Sequence, residues 1–219
     1  MLTGQLSHTG FPTVGLSDKT GLALQLMEEY DVQHIPVVAD DKLLGLLGKD
    51  DLLDADEQMP LAGMETALLP VSVKSEAHIT LAVKLMASND LSLLPVTNEQ
   101  GEYSGVITTT SLIQAVSRYL GNEEPGGIIV LETDKRHYYF GEISRLVETH
   151  DAFITQLNTY PDTERGTVTI ALKINRTEIS DIIASFQRYE YQVLYYFGEE
   201  AYDNELKENY RHLLSYLNI

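Results

Sequence analysis

The chain has 219 residues, no cysteine and a formal net charge of −18 at pH 7. The lack of cysteine excludes a disulfide framework and thiolate zinc sites, and the negative charge disfavours nucleic acid and anionic membranes as partners. No apolar run approaches the ~18 residues that a membrane-spanning helix needs, and the start of the chain lacks a basic targeting region. We therefore expect a cytoplasmic protein with room for two modest hydrophobic cores.

The first half of the chain contains an internal repeat. The run Ile35-Pro36-Val37 recurs as Leu94-Pro95-Val96, and Gly45-Leu46-Leu47 recurs as Gly105-Val106-Ile107, each about 60 residues later. A repeat of this length is a whole supersecondary unit, and two such units usually pack together because neither buries its apolar face alone. The clefts between the two copies are therefore the natural places for a ligand.

Each copy is predicted to fold as strand, helix, strand, strand, helix. In the first copy, the apolar stripe from Leu22 to Tyr30 predicts an amphipathic helix, and Ile35 to Val38 predicts a short strand. Asp40-Asp41 predicts a turn into a second strand from Leu43 to Leu47. Asp50-Asp51 predicts the start of another helix, because carboxylates there meet unpaired N–H groups and the positive end of the helix dipole.

This order of elements, present in both copies, resembles a tandem pair of CBS (cystathionine-β-synthase-type) domains over roughly residues 1–120. The resemblance implies a regulatory module that holds adenine nucleotides in the two clefts between the copies. It also implies a nucleotide signature that begins with glycine, continues with a serine or threonine and ends with an aspartate. In that signature the hydroxyl meets a phosphate and the carboxylate meets the ribose.

The two copies divide this signature between them. In the first copy Gly45 and Asp51 match, but Gly48 replaces the hydroxyl. In the second copy Thr108 supplies the hydroxyl, but Ser111 replaces the carboxylate. The resemblance gives as candidate ligand-binding residues Gly45, Asp51, Gly105, Thr108, Ser111, His34, Val37 and Val96.

Ordinary structural roles can explain the same residues. Asp51 fits the start of a helix as a capping residue, and Thr108 belongs to a Thr108-Thr109-Thr110 run of high strand propensity. His34, just before a strand, fits a surface or core-edge position. If a nucleotide binds, the candidates are AMP, ADP or ATP, with Mg²⁺ accompanying a polyphosphate.

The second half of the chain predicts a separate domain. Residues 121–126 combine glycine, proline and charge and predict a linker. The predicted order of elements over residues 127–198 is β-α-β-β-α-β, which is ferredoxin-like, so the fold class of the chain is α+β. The segment from Pro161 to Gly166 is expected to be the loop that joins the second and third strands.

This second domain resembles an ACT domain, through Asp134 at the end of its first strand and Gly141 at the start of its first helix. ACT domains commonly dimerise and bind amino acids near this loop, so the resemblance implies Asp134, His137 and Gly141 as effector residues. The usual Asp-x-Pro-Gly loop is replaced by Lys135 to Phe140, which makes a purely dimerising role the alternative. A CBS pair followed by such a domain is similar to the bacterial acetoin-utilisation accessory proteins.

The last residues predict a C-terminal helix with an apolar stripe, which needs cover from its own domain or from a partner subunit. The stripe is formed by Leu206, Tyr210, Leu213, Leu214 and Leu217. We expect a homodimer. The predicted organisation is a CBS pair over 1–120 (repeats 1–58 and 59–120), a linker over 121–126, an ACT-like domain over 127–198 and a helix over 199–219.

Catalytic groups are scarce in the sequence. The six histidines show no i, i+4 metal-ligand spacing, and no serine lies in a nucleophile elbow. The acidic run from Asp50 to Glu57 could hold a hard cation, but it lacks the glycine pattern of a calcium loop and is more typical of a solvated helix face. We therefore expect a regulatory sensor of a small ligand rather than an enzyme, and the alternative is a ligand-free adaptor that docks a partner enzyme.

Overall fold

A computed structural model describes residues 1–198, and the predicted C-terminal helix over 199–219 lies outside them. The chain divides into two compact units, Met1–Tyr119 and Leu120–Ile219. Both units contain helices and strands. In the described part of the chain, no helix combines the length and the apolar character that crossing a membrane requires.

The first unit contains the two copies of the repeat around one shared core. On α1 and α3, the equivalent pairs Ala23 with Met27 and Ala82 with Met86 are buried, as the predicted apolar stripes require. The elements are α1 (Thr20–Glu29), β1 (His34–Ala39), β2 (Lys42–Gly48), α2 (Lys49–Leu53), β3 (Val73–Lys74), α3 (Ile79–Ser88), β4 (Leu93–Thr97), β5 (Tyr103–Thr108) and α4 (Thr109–Tyr119).

The turn between β1 and β2 is made by two aspartates. Asp40 and Asp41 have φ angles of 49° and 63°, and Ala39 pairs with Lys42 on either side of them. Two successive residues in the left-handed region define the type I′ turn, which matches the twist of a two-residue hairpin. Aspartate tolerates this backbone better than most residues, so the turn expected here is present.

The first copy lacks the opening strand that the repeat predicts. In the second copy β3 pairs with β4 in parallel, through Val73 and Val96. At the equivalent place in the first copy, Val14 makes only a single parallel bridge to Val37. The extended segment ends there because the Gly15 N–H donates to the Asp18 carboxylate, 2.8 Å away, and starts a turn.

The leading segment of each copy, ahead of its opening strand, crosses over to the opposite copy. His8 of the first copy pairs with Val106 on β5, and Leu69 of the second copy pairs with Leu46 on β2. Each copy therefore completes its neighbour's sheet edge, and the two are a single folding unit. This exchange also brings the segment from Ser7 to Phe11 to the wall of a cleft.

The second unit is a four-stranded antiparallel sheet with the order β7-β8-β6-β9. The helices pack on the side of the sheet that carries Ile129 and Leu131, together with Phe186 of the second helix. The elements are β6 (Gly127–Asp134), α5 (Phe140–Glu148), β7 (Ile154–Asp162), β8 (Thr167–Ile174), α6 (Ser180–Arg188) and β9 (Gln192–Phe197).

The prediction of a loop from Pro161 to Gly166 is partly wrong. Pro161 and Asp162 belong to β7, where they pair with Val168 and Thr167. β7 is an edge strand, so the N–H that proline lacks can face away from the neighbouring strand without breaking a ladder bond. The connecting loop is therefore shorter than the sequence indicates.

Candidate functional site

The glycines of the predicted signature lie where the leading segments cross. A Cβ added to Gly105 would stand 2.7 Å from the His8 carbonyl oxygen and 3.2 Å from Thr9 Cα, and Gly105 also has a φ of +136°. A Cβ at Gly45 would stand 3.0 Å from the Leu69 carbonyl oxygen. Both glycines therefore permit a close backbone approach that a side chain would obstruct.

Two clefts lie between the copies. The first, which we call the acidic cleft, has a volume of about 630 Å³ and lies between residues Gly48 to Asp51 and residues Asn89 to Ser92. The second, the Thr108 cleft, has a volume of about 590 Å³ and is lined by Ser7 to Phe11, Tyr30 and Thr108. Gly48 and Thr108 occupy equivalent places in the repeat, as do Asn89 and Tyr30, so the two clefts are related by the repeat.

The acidic cleft is unfavourable for a phosphate. Its lining contains three aspartates, Asp50, Asp51 and Asp90, and one lysine, Lys49. The Lys49 amine lies 3.7 Å from the Glu28 carboxylate and is paired with it. Carboxylates in a concave site repel an anionic ligand. The described residues include no group of three or more His, Cys, Asp or Glu side chains arranged to hold a metal ion.

Asp51 lies at the start of α2, where its carboxylate accepts a 3.3 Å hydrogen bond from the Gly48 N–H. This contact satisfies one of the N–H groups left unpaired at the beginning of a helix. The carboxylate therefore has the capping role that its position allows, on the rim of the acidic cleft.

His34 links the two copies through Ser92. The His34 Nδ1 accepts a hydrogen bond from the Ser92 N–H at 3.3 Å and lies 3.1 Å from Ser92 Oγ, and that hydroxyl accepts one from the Gln33 N–H at 2.9 Å. Burial lowers the pKa of His34 below its ordinary value of 6.5, against the opposing effect of Asp90, Asp51 and Asp50. The neutral imidazole with a free Nδ1 lone pair therefore fits this network.

Thr108 and Ser111 form a reciprocal cap at the start of α4. Thr108 Oγ1 accepts from the Ser111 N–H at 3.2 Å, and Ser111 Oγ accepts from the Thr108 N–H at 3.0 Å. The Thr108 hydroxyl also donates to Ser111 Oγ at 3.2 Å. This arrangement places a hydroxyl at the positive end of an eleven-residue helix, where an anion is stabilised.

The Thr108 cleft also contains aromatic surface. Phe11 and Tyr30 pack edge to face with ring centroids 5.2 Å apart, and Tyr30 is 44% exposed. Flat aromatic surface of this kind is suited to contact with a nucleobase. The residues that line this cleft include no aspartate or glutamate among those described, so its chemistry is opposite to that of the acidic cleft.

The structure brings some of the predicted site residues together and separates others. Asp51 and His34 line the acidic cleft. Thr108 lines the other cleft, and Ser111 is hydrogen-bonded to it. Val37 and Val96 are fully buried in the core, because β1 and β4 are covered on both faces.

The predicted effector residues of the second unit lie on three successive pieces of backbone, the end of β6, a short 3₁₀ helix and the start of α5. Asp134 caps a short 3₁₀ helix by accepting a 2.8 Å hydrogen bond from the Arg136 N–H. His137 ends that helix, and Gly141 is the second residue of α5.

Several residues that line the clefts are not predicted by the sequence. The sequence pattern places Tyr30 only in the apolar stripe of its helix, and it gives no site role to Gln33, Ser92 or the segment from Ser7 to Phe11. The repeat carried a usable signal, because Gln33 and Ser92 hold equivalent positions just ahead of β1 and β4. The approach of the Ser7 to Phe11 segment depends on the crossing of the copies and had no local signal.

Comparison with known proteins identifies the first unit. The family model for the CBS domain matches residues 4–58 and 70–118. The chain is 28% identical over 115 residues to an inosine-5'-monophosphate dehydrogenase of Korarchaeum cryptofilum, covering 52% of this chain and 24% of that enzyme. It is 32% identical over 117 residues to a homoserine O-acetyltransferase of Methanobrevibacter ruminantium, with coverages of 52% and 24%.

Among solved structures, a CBS domain pair/ACT domain protein from Thermotoga maritima is similar at 25% identity and a TM-score of 0.50, covering 55% of this chain and 99% of that one. The first unit is therefore a tandem pair of CBS domains, a class of module that regulates by binding small ligands such as adenosine nucleotides. The chain spans about a quarter of the length of the curated relatives it matches.

Proposed function

We propose that this protein is a cytoplasmic regulatory sensor whose CBS pair binds an adenine nucleotide in the Thr108 cleft. The observation that carries the proposal is the difference between the two related clefts. One is lined by three aspartates, whereas the other combines a helix-terminal hydroxyl with exposed aromatic surface and no carboxylate among its described lining residues. We therefore expect a phosphorylated ligand to bind in the Thr108 cleft and not in the acidic cleft.

The phosphate would lie at the start of α4. Its contacts would be the Thr108 hydroxyl, turned from Ser111 Oγ toward the ligand, and the positive end of the helix. Ser111 Oγ would keep its bond from the Thr108 N–H and its own donation to the Thr108 carbonyl, 3.0 Å away. Ligand binding therefore exchanges one hydroxyl contact without dismantling the cap.

The base would contact Tyr30, and stacking on such a ring contributes about 1–3 kcal/mol per base. Because Ser111 replaces the acidic residue of the signature, the ribose would have a neutral hydrogen-bond partner, which is weaker than a carboxylate. The net charge of −18 also opposes a polyphosphate. AMP is therefore the favoured candidate, and ADP or ATP would bind with Mg²⁺.

For the second unit we propose an ACT-like domain that supports a homodimer or binds a second effector. The element order β-α-β-β-α-β and the sheet order β7-β8-β6-β9 support this assignment. The proposed effector residues remain Asp134, His137 and Gly141. We propose no catalytic chemistry for the chain, so a bound ligand is released unchanged.

The second candidate function is a ligand-free adaptor that docks a partner enzyme. One observation favours it: the hydroxyls of Thr108 and Ser111 already satisfy each other, so the cleft does not depend on a ligand for its hydrogen bonds. In this case the paired CBS domains act as a docking surface and not as a sensor.

A thermal-shift screen of the full chain separates the two functions. A ligand that binds only the folded state increases the free energy of unfolding, by about 2.7 kcal/mol at a hundred-fold excess over Kd. The melting temperature rises as a result. The sensor proposal expects a rise with AMP, ADP or ATP, and an ACT effector would add a rise with an amino acid. No rise with any of AMP, ADP, ATP with Mg²⁺, S-adenosylmethionine or amino acids supports the adaptor.

A further inference from the structure

Ser92 connects His34 in the acidic cleft to the start of α4. Its N–H donates to His34 Nδ1 at 3.3 Å, and its hydroxyl oxygen lies 3.1 Å from the same nitrogen. Its carbonyl oxygen accepts two hydrogen bonds from Thr109, one from the N–H at 3.1 Å and one from the hydroxyl at 3.0 Å. Thr109 is the first residue of α4, so only Ser92 stands between the imidazole and that helix.

The start of α4 belongs to both clefts. Thr109 lines the acidic cleft, and Thr108, one residue earlier, lines the Thr108 cleft. The first copy has the equivalent backbone bond, from the Lys49 N–H to the Gln33 carbonyl oxygen at 2.8 Å, but a lysine side chain cannot add the second bond that the Thr109 hydroxyl makes. A shift of Ser92 therefore reaches the backbone next to Thr108.

The two protonation forms of His34 contact Ser92 differently. In the neutral form the Nδ1 lone pair accepts from the Ser92 N–H. In the protonated form both ring nitrogens carry hydrogen, so Nδ1 becomes a donor, and Ser92 Oγ is an available acceptor. The part-buried Ser92 N–H then loses its partner, which costs free energy. Protonation therefore favours a different position of Ser92.

Charged groups on two segments face the imidazole of His34. Burial lowers the pKa of His34, and three carboxylates oppose this effect, those of Asp90, which precedes β4, and of Asp51 and Asp50 on α2. Lys49 also lines the cleft, and its positive charge disfavours the imidazolium. On β2, the residue opposite His34 is a glycine. His34 is therefore neutral at neutral pH and takes up its proton in acidic solution.

We propose that His34 makes nucleotide binding in the Thr108 cleft pH-dependent, because its protonation shifts Ser92 and with it the start of α4. This regulation rests on the proposed nucleotide site. The neutral form of His34 holds the helix start in the binding arrangement. Protonation releases the Ser92 N–H and weakens binding. His34 and Ser92 are thus positioning residues, which act on the ligand through the backbone of α4.

Calorimetric titration of the full chain with AMP tests this regulation in the wild type and in His34→Gln. A glutamine oxygen can accept from the Ser92 N–H but takes up no proton, so this variant should retain the neutral arrangement at every pH. His78→Gln is the matched control, since His78 is exposed and is not among the described residues that line either cleft. Melting temperatures verify that each variant is folded. A phosphate monoester itself has a pKa of about 6, so each affinity is compared with that of His34→Gln at the same pH.

Nuclear magnetic resonance of the ligand-free wild type measures the link from His34 to α4 separately. The ring protons of His34 give its pKa, and we expect the backbone amide of Thr109 to titrate with the same midpoint. In His34→Gln the Thr109 amide should lose this titration. A Thr109 amide that does not follow His34 in the wild type overturns the link, whether or not AMP binds.

We expect the AMP affinity of the wild type, relative to His34→Gln, to fall about two-fold between neutral pH and the pKa of His34, where half of the molecules are protonated. His78→Gln should show the same fall. An unchanged ratio, or one that rises as the pH falls, overturns the regulation and leaves the nucleotide site in place. No AMP binding at either pH overturns the proposed nucleotide site, and this regulation with it.

Discussion

Thr108 and Ser111 cap the start of α4 reciprocally, with Thr108 Oγ1 3.2 Å from the Ser111 nitrogen and Ser111 Oγ 3.0 Å from the Thr108 nitrogen. Thr108 also lines a cleft between the two CBS copies. The same hydroxyl therefore has a structural role and a proposed ligand-binding role. Removing it must affect both stability and binding.

Replacing Thr108 by valine keeps the shape of the side chain but removes the hydroxyl. We expect Thr108→Val to lower the free energy of unfolding by about 1 kcal/mol, the usual cost of losing a helix cap. We also expect AMP binding to weaken by about 1.5–3 kcal/mol, the cost of losing a hydrogen bond to a charged group. Denaturant unfolding and calorimetry measure the two effects.

Thr110→Val is the matched control for this substitution. Thr110 lies two residues further along α4 and is exposed, so its replacement should leave AMP affinity unchanged. Equal AMP affinity in the Thr108 and Thr110 variants would contradict the proposal that the phosphate binds at the start of α4.

Gly105 should tolerate a side chain less well than Gly45. Gly105→Ala introduces a Cβ 2.7 Å from the His8 carbonyl oxygen in a left-handed backbone, whereas at Gly45 the nearest atom is at 3.0 Å and no such backbone is required. We expect Gly105→Ala to destabilise the protein by about 2 kcal/mol or more and Gly45→Ala by less. Chemical denaturation of both variants measures this order, and the reverse order contradicts the close approach of the His8 segment to Gly105.

His34 should make the protein less stable as the pH falls. Burial lowers the pKa of His34 in the folded state, so the unfolded chain takes up the proton first, as the pH drops below 6.5. The contribution of His34 to stability is full above that pH and is lost progressively until the folded-state pKa is reached. Melting temperatures from about pH 8 to about pH 5.5 should therefore fall more in the wild type than in His34→Gln.

His137→Gln, which removes an exposed histidine of the second unit, serves as the control and should follow the wild type. If His34→Gln has the same pH dependence as the wild type, the link from His34 to Ser92 does not favour the neutral imidazole.

The oligomeric state tests the proposed role of the second unit. A homodimer should give a mass of about twice 24.5 kDa at micromolar concentration. Light scattering coupled to size exclusion measures this mass directly. A mass equal to one chain would argue against the dimer, while leaving the nucleotide proposal for the CBS pair unaffected.

Much of the fold could be predicted because its signals are local. The apolar stripe from Leu22 predicts α1, and Asp40-Asp41 predicts a hairpin turn whose left-handed backbone the structure shows. The opening strand of the first copy is absent because Gly15 and Asp18 form a turn at that place. The repeat pattern predicts a strand there and the local residues permit a turn, and local propensity does not decide between the strand and the turn.

The site was predicted less completely, since its residues come together through long-range contacts. The signature located Thr108 and Ser111, which are close in sequence. It did not locate Tyr30 or the Ser7 to Phe11 segment, because these reach the cleft only when the leading segments cross. Val37 was expected at a cleft and is a core residue, because its strand is covered on both sides.

Calorimetric titration of the full chain with AMP tests the central proposal most directly. We expect saturable binding at one site per chain, because only one of the two related clefts is free of lining carboxylates among the described residues. Two equivalent sites per chain would contradict the assigned difference between the clefts. No binding by the folded protein at about millimolar AMP, the weak end of specific affinities, would contradict the sensor function itself.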